Sequence, residues 1–314
     1  MYPSNSGKNN IKMCWRKTVE LLRLCNTPAS IISPFPLFAT SLFLISREEF
    51  HIYDISVLFA GIAVSLFSNY GSNLWNHCND LNEDKAAGKK TILTEDISMQ
   101  KTTPFIALVL YACSIFSVYY LSMELKRPIY LYFLIWAFAT WWYSDNLILR
   151  KIIGFRLKDH YMGELITYAT AWPTYTLGIW LIYSDLNTKG IVLAVAFFFF
   201  SMSGMLLKDL KDISGDRKAG LKTFGVSFSP SQLIQCSCYM MALFYLVMLN
   251  PLTLSLFSNG LLVMVFPFVY FLKNTAVHMY KKNWILDIGD LKAFRSIGIS
   301  IQSSIVLMGL SAFL

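Results

Sequence analysis

The sequence predicts an all-α integral membrane protein of nine transmembrane helices, arranged as two four-helix halves plus one. Three observations carry that expectation. Of 314 residues, 55% are hydrophobic and only 15% charged, and the mean hydropathy is +0.48, whereas a water-soluble domain carries about 25% charged residues. The apolar residues gather into nine stretches, each close to the roughly 20 residues that a transmembrane helix needs. A twelve-residue polar motif then occurs twice, 132 residues apart.

The elements follow in chain order. Residues 1–27 are polar and basic, and 14–25 read as an amphipathic helix on the cytoplasmic surface; no cleavable signal peptide is expected, because no apolar core precedes Pro28. Residues 28–314 form one membrane domain with spans over 28–46, 53–72, 104–123, 128–144, 163–183, 190–207, 232–249, 253–272 and 294–313. With the N-terminus cytoplasmic, 23 of the 27 Lys and Arg residues fall on the cytoplasmic side, leaving Arg47, Lys126, Arg127 and Lys189 on the other. That asymmetry is the positive-inside signature. It places the active-site loops in the cytoplasm and the C-terminus opposite, and it explains the net charge of +8 by a lipid bilayer as partner, with no nucleic acid.

The six cysteines (Cys14, Cys25, Cys78, Cys113, Cys236 and Cys238) lie in or near membrane helices or the cytoplasmic face, where disulfides are rare. Cys236-Ser-Cys238 sits in an apolar helix without a nearby His, so it reads as packing. His51, His77, His160 and His278 show no metal-ligand spacing. His77 is set ~100° around its helix from Asn76 and reads as a local polar contact. GxSxG, P-loop and CxxC motifs are absent.

The repeat aligns Asp80-Leu-Asn-Glu-Asp84-Lys-Ala-Ala-Gly-Lys-Lys-Thr91 with Asp212-Ile-Ser-Gly-Asp216-Arg-Lys-Ala-Gly-Leu-Lys-Thr223 without gaps, six of the twelve positions being identical. One copy follows the second span and the other the sixth, so both emerge on one face. Repeated membrane halves commonly hold a site at their interface.

Asn76, Asp80 and Asp84 are spaced i, i+4 and i+8, which on a helix confines them to ~80° of arc. Asp209, Asp212 and Asp216, at i, i+3 and i+7, also share a face. Two opposed carboxylate columns at membrane-helix ends would repel each other unless a cation sat between them. Mg²⁺ takes oxygen ligands together with substrate phosphates, so the columns can hold a diphosphate through bridging Mg²⁺. Lys90, Lys222, Arg217, Lys151, Arg156 and Lys158 could neutralise a leaving diphosphate. Glu83 and Asp96 read as solvated helix ends.

The pattern Asn76-x-x-x-Asp80-x-x-x-Asp84, with Lys208-Asp209-x-x-Asp212-x-x-Gly215-Asp216, resembles the two aspartate-rich motifs of the UbiA-type intramembrane prenyltransferases. Motif 1 occupies 76–91 and motif 2 occupies 208–223, and the likeness extends over nearly the whole chain. Tyr143-Ser144, Arg156-Leu157-Lys158 and Gly163-Glu164 are similar to a further segment of that family, with about seven extra residues intervening here; Lys158 rather than Lys151 is taken as the diphosphate-facing lysine. The resemblance implies nine helices around a central cavity open to lipid, and a Mg²⁺-dependent enzyme that moves a polyprenyl group from an isoprenyl diphosphate to a hydrophobic or aromatic acceptor such as a quinone or lipid precursor. In that reading Asp80, Asp84, Asp212 and Asp216 are catalytic and, with Asn76, bind metal, while Asn76, Asp209, Lys158, Lys222, Arg217 and Tyr143 bind substrate. An allylic cation must be kept from water, and among 24 Phe, 17 Tyr and 8 Trp the candidates to shield it are Trp75, Trp141, Trp142, Trp172 and Tyr175.

Two other activities compete. A membrane-embedded terpene cyclase would use the same diphosphate site and let the cation close on itself. A cation transporter would keep charged groups near the midplane, but the span middles contain prolines such as Pro173 and Pro267 and no charge. A CDP-alcohol phosphotransferase resembles the chain less, since its single aspartate motif differs. The loop 274–293, with His278, Lys281, Lys282, Asp287 and Asp290, is expected to cap the site.

Overall fold

The computed structural model describes residues 6–26, 34–47, 49, 51–86, 88–286 and 291–314. The described chain is helical, with one isolated parallel bridge between His160 and Lys222. Its principal helices are α1 (Ser6–Cys25), α2 (Phe35–Ser46), α3 (Asp54–Asn79), α4 (Leu81–Ala86), α5 (Ile97–Leu125), α6 (Ile129–Ser144), α7 (Tyr161–Tyr183), α8 (Thr188–Lys218) and α9 (Pro230–Leu249), followed by a broken helical span Asn259–Lys281 and α10 (Leu291–Leu310).

Among the described residues six stretches are long and apolar enough to cross a bilayer: Asp54–Asn79, Ile97–Leu125, Thr188–Leu210, Pro230–Leu249, Asn259–Lys281 and Ala293–Phe313. The helices α2, α6 and α7 stand where the first, fourth and fifth spans are expected. The described part of α2 has 12 residues and α6 has 16, and α6 and α7 are rich in Trp and Tyr, whose polar ends lower their hydropathy while suiting them to membrane boundaries. The start of the first expected span, from Pro28, lies outside the described residues.

Successive helices are neighbours from α3 through α9, except that α4 leads from α3 to α5. The broken span joins α9 to α10, and α10 packs on α2, which returns to α3. The bundle therefore closes on itself, and α7 reaches across it to α2 and α3. Buried and half-buried aromatic rings fasten these helices: Phe38 to Phe197 at 4.6 Å, Phe35 to Tyr175 at 4.9 Å, Trp136 to Tyr175 at 5.5 Å and Trp75 to Trp141 at 4.3 Å. Edge and tilted ring pairs of this kind each contribute about 0.5–1.5 kcal/mol beyond buried area.

Two departures from the expected boundaries have a local reason. Asp96 accepts from the Ser98 and Met99 amides at 2.9 and 3.3 Å, so α5 starts at Ile97 and takes Pro104 inside it. Asp96 is thus an N-cap paired with Lys17 at 2.9 Å, not a merely solvated end. The expected span 253–272 is instead a short helix, Pro251–Leu256, followed by the span Asn259–Lys281. The break falls by Gly260, where a Cβ would lie 2.4 Å from the Ser311 carbonyl. The five described cysteines, Cys236 and Cys238 among them, are free thiols.

The sequence repeat is also a structural repeat. In the first copy the Gly88 amide donates to the Lys85 carbonyl at 3.0 Å and the Lys89 amide to Asp84 at 2.9 Å; in the second, Gly220 donates to Arg217 at 3.2 Å and Leu221 to Asp216 at 3.0 Å. Both turns are Schellman caps, which require a left-handed residue, and Gly88 and Gly220 supply it at φ 70° and 73°. Thr91 and Thr223 then each stand at the N-cap of a four-residue helix, Ile92–Glu95 and Phe224–Ser227.

Candidate functional site

Motif 1 begins at the end of α3. The helix is interrupted at Asp80 (φ −90°, ψ 11°), so the three residues of the first column do not share one unbroken helix as expected. The i→i−4 bonds nevertheless continue through the break, from the Asp80 amide to Asn76 at 2.9 Å and from Asp84 to Asp80 at 2.8 Å. The column survives for that reason. Asn76 accepts from the Ser144 hydroxyl at 2.6 Å, while neighbouring Asn79 binds Asn146 through both its side chain and its carbonyl, at 2.7 and 2.6 Å. The start of the loop after α6 is thereby pinned to motif 1.

Motif 2 lies on the continuous helix α8. Asp209 is buried and accepts from the Gly225 amide at 3.3 Å, and Asp216 accepts from the Thr223 hydroxyl at 2.9 Å. Asp212 is partly exposed and faces motif 1, where Lys89 Nζ lies 3.8 Å from it and 3.0 Å from Asp84. One ammonium thus touches a carboxylate from each half.

The loop between α6 and α7 delivers further cations. Lys158 donates to Asp80 Oδ2. The fully buried Arg156 donates to Asp80 at 3.3 Å, to Asp159 at 2.7 Å and to Glu83. Glu83 is therefore a partner of a buried guanidinium, not the solvated end expected. Lys151 is exposed on the loop, and Lys158 is the lysine that meets motif 1. The turn is held against α7 by close approach at Gly163, where a Cβ would lie 2.0 Å from the Leu157 carbonyl. It is tied to motif 2 as well: the Lys222 amide donates to Asp159 at 3.0 Å and the Tyr161 amide to Lys222 at 2.8 Å. Lys222 serves here through its backbone, with an exposed side chain; Arg217 and Lys90 are exposed too.

Deeper in the bundle, Lys208 Nζ donates to the Tyr143 hydroxyl at 3.2 Å, which donates to Glu164 at 3.2 Å; Glu164 also accepts from the Phe224 amide at 3.0 Å. The Trp75 and Trp141 rings lie tilted against each other beside Asn76 and Tyr143 in sequence, and Trp142 lies half-buried with its indole N–H donating to the Phe155 carbonyl at 3.2 Å. His77 is 3.8 Å from Asp84, a local polar contact. Lys89, Lys208 and Glu164 are the site residues that spacing arguments passed over. Glu164 and Lys208 stand within the quoted motif segments but were given no role there, whereas Lys89 had no signal beyond its place in the repeat. Of the expected cap over the site, residues 287–290, including Asp287 and Asp290, lie outside the described residues.

Electrostatics differ between the columns. Burial alone would raise the Asp80 carboxyl, but Lys158 and Arg156 hold it below the ordinary aspartate range. Asp84 is likewise held low against burial by His77 and Lys89. Asp216 is pushed up by burial and by neighbouring Asp212, which the Thr223 hydroxyl and the charges of Lys158 and Lys208 do not offset. Lys89, despite burial, is raised by Asp84, Asp212 and Asp80. Among the described residues no three carboxylate, imidazole or thiol groups converge on one point. The donor chemistry still fits a hard divalent cation, because all the groups are oxygen ligands and the Lys89 ammonium already bridges carboxylates of both halves.

A sequence model of the UbiA prenyltransferase family matches residues 33–296. An uncharacterized protein of Archaeoglobus fulgidus is 30% identical over 267 residues, spanning 84% of this chain and 89% of that protein. Among solved structures, a UbiA homolog from Archaeoglobus fulgidus bound to GPP and Mg²⁺ superposes with a TM-score of 0.61 at 16% identity, covering 93% of this chain and 99% of that one. A digeranylgeranylglyceryl phosphate synthase superposes with a TM-score of 0.61 at 15% identity, with the same coverage of 93% and 99%. At these identities the two structures establish a common fold.

Proposed function

Because the chain belongs to the UbiA prenyltransferase family, we propose that it moves a polyprenyl group from an isoprenyl diphosphate to a hydrophobic or aromatic acceptor, a quinone or lipid precursor, within the membrane. The observation that carries this reading is the pair of repeated aspartate turns, one from each half, joined through Lys89. The GPP and Mg²⁺ bound by the Archaeoglobus fulgidus homolog of the same fold support the donor class and the metal.

In this reading Asp80, Asp84, Asp212 and Asp216, with Asn76, hold Mg²⁺, which when bound draws charge from the departing diphosphate. Lys158 and Arg156 bring positive charge to the same place from the loop after α6, and Arg217 and Lys222 add it at the rim. Asp209 fixes the Phe224–Ser227 turn through the Gly225 amide. Tyr143, oriented by Lys208 and Glu164, faces the donor, and the Trp75 and Trp141 rings shield the allylic carbon from water. Nine spans place the N-terminus on the aspartate side, in the cytoplasm, and the C-terminus opposite.

The test is transfer by the purified protein in nanodiscs. Radiolabelled geranylgeranyl diphosphate is supplied with a membrane lipid extract and either Mg²⁺ or EDTA, for wild type, Asp80→Ala and Asp212→Ala. The expected result is Mg²⁺-dependent label in an extract component, reduced about 10²–10³-fold in each variant, as for loss of one charge-stabilising group. Label released only as hydrocarbon would assign a cyclase, and no diphosphate turnover would remove the reading.

A further inference from the structure

The segment that joins α6 to the Arg156–Lys158 turn is apolar where a solvent loop would be polar. Asp145 opens it by accepting from the Leu147 and Ile148 amides at 3.1 and 3.0 Å and from Leu149. A single helical stretch, Leu149–Ile153, follows and ends at Gly154 with φ 93°. Leu147, Ile148, Ile152, Ile153 and Phe155 are all exposed, Ile152 to 75%. Contiguous exposed apolar surface of this kind marks an interaction site.

What covers it follows from the helix it continues. Leu131, Leu134, Ile135 and Phe138 are exposed on α6, Phe138 to 54%, and on a helix of a membrane bundle such residues face lipid. Phe138 packs on Trp142 with ring centroids 5.6 Å apart, and Trp142 packs on Phe155 at the same 5.6 Å while its indole donates to the Phe155 carbonyl at 3.2 Å. The aromatic ladder carries the lipid-facing surface of α6 past its end at Ser144 and onto the loop. Trp at that level is the side chain suited to a membrane–water boundary. Two cations are interleaved with the apolar residues: Lys151 is exposed, and Arg150 is half exposed, held by Asn146 at 2.6 Å and near Asp159 at 3.9 Å.

We propose that residues 147–155 form an interfacial anchor, inserted among the phospholipids of the leaflet on the aspartate side, with Arg150 and Lys151 meeting anionic headgroups. Short amphipathic segments with basic residues bind membranes in this way. Because Arg156 and Lys158 follow directly, the anchor fixes the height of these cations relative to the bilayer. The inference depends on the bundle lying in a membrane and is independent of the transferase reading.

Photo-crosslinking tests it without any activity. Benzoylphenylalanine is placed at Ile152, at Phe138 as a lipid-facing control, and at Asn82 as an exposed polar control, in nanodiscs of mixed phosphatidylcholine and phosphatidylglycerol. Adducts are identified by mass spectrometry. Position 152 is expected to give phospholipid adducts comparable to 138, with none at 82. In the Arg150→Gln, Lys151→Gln background the share of anionic adducts at 152 is expected to fall at least about twofold, with adducts at 138 unchanged as evidence that the bundle is intact. No lipid adduct at 152 while 138 reacts, or capture of a protein at 152 in native membranes instead of lipid, would overturn the proposal. An unchanged anionic share would overturn the headgroup contacts.

Discussion

Arg156 is the residue on which most of the charge balance at the aspartate end turns. Its side chain is fully buried and meets Asp80, Glu83 and Asp159, and removing one partner from a buried ionic group strands the others at about 3–5 kcal/mol. Arg156→Ala is expected to lower the unfolding free energy in detergent by about that amount, and Arg156→Ala combined with Asp80→Asn to recover part of it. Acid should act on the same group. The Asp80 carboxyl is held below its unfolded value of about 3.9, so its stabilisation is complete above that pH and is lost as pH falls through the lower folded value. Thermal unfolding between neutral pH and the acid limit of folding should therefore show a steeper loss for wild type than for Asp80→Asn. Gly163 acts sterically: with Leu157 O 2.0 Å from its would-be Cβ, Gly163→Ala is expected to destabilise by about 1–3 kcal/mol and to shift the turn bearing Lys158. A wild-type melting curve for that variant would contradict the packing account.

Among the elements, the paired Schellman turns give the cleanest comparison. A Cβ at Gly88 or Gly220 would touch nothing within 4 Å, so alanine there introduces backbone strain alone, about 1–2 kcal/mol for a left-handed residue. Gly88→Ala and Gly220→Ala should lower stability nearly equally; a large difference between them would argue that the two halves are not structurally equivalent. This pair also shows what the sequence makes legible. Six identities at a fixed offset reported a true structural repeat, because the left-handed position of each turn calls for glycine and a threonine then stands at the N-cap of the next short helix in both copies. Less visible was the interruption at Asp80, since a break that keeps the i→i−4 bonds leaves the apolar and polar spacing unchanged. The start of α5 was hidden in the same manner: Asp96 is a cap by virtue of two amide bonds, and a proline at 104 outweighed it in a reading by pattern. Arg156 was legible as a cation, but its burial against Glu83 depended on a loop whose path spacing does not determine.

Across the whole molecule, the closed order of helices brings motif 1 and motif 2, 132 residues apart, to one end of the bundle. Burial, cations and repeated turns all concentrate there, while the span middles hold the aromatic packing of Phe38, Tyr175 and Phe197. The central claim is that carboxylates from the two halves act together on one Mg²⁺-bound diphosphate. It is tested most directly by calorimetric binding of a non-hydrolysable geranylgeranyl diphosphate analogue to the detergent-solubilised protein, with Mg²⁺ or EDTA, for wild type, Asp84→Ala and Asp212→Ala. The account predicts Mg²⁺-dependent binding that either single substitution weakens by at least about tenfold, as expected for loss of a charge-assisted ligand worth 1.4 kcal/mol or more. Binding that survives EDTA, or that only one of the two halves controls, would contradict it.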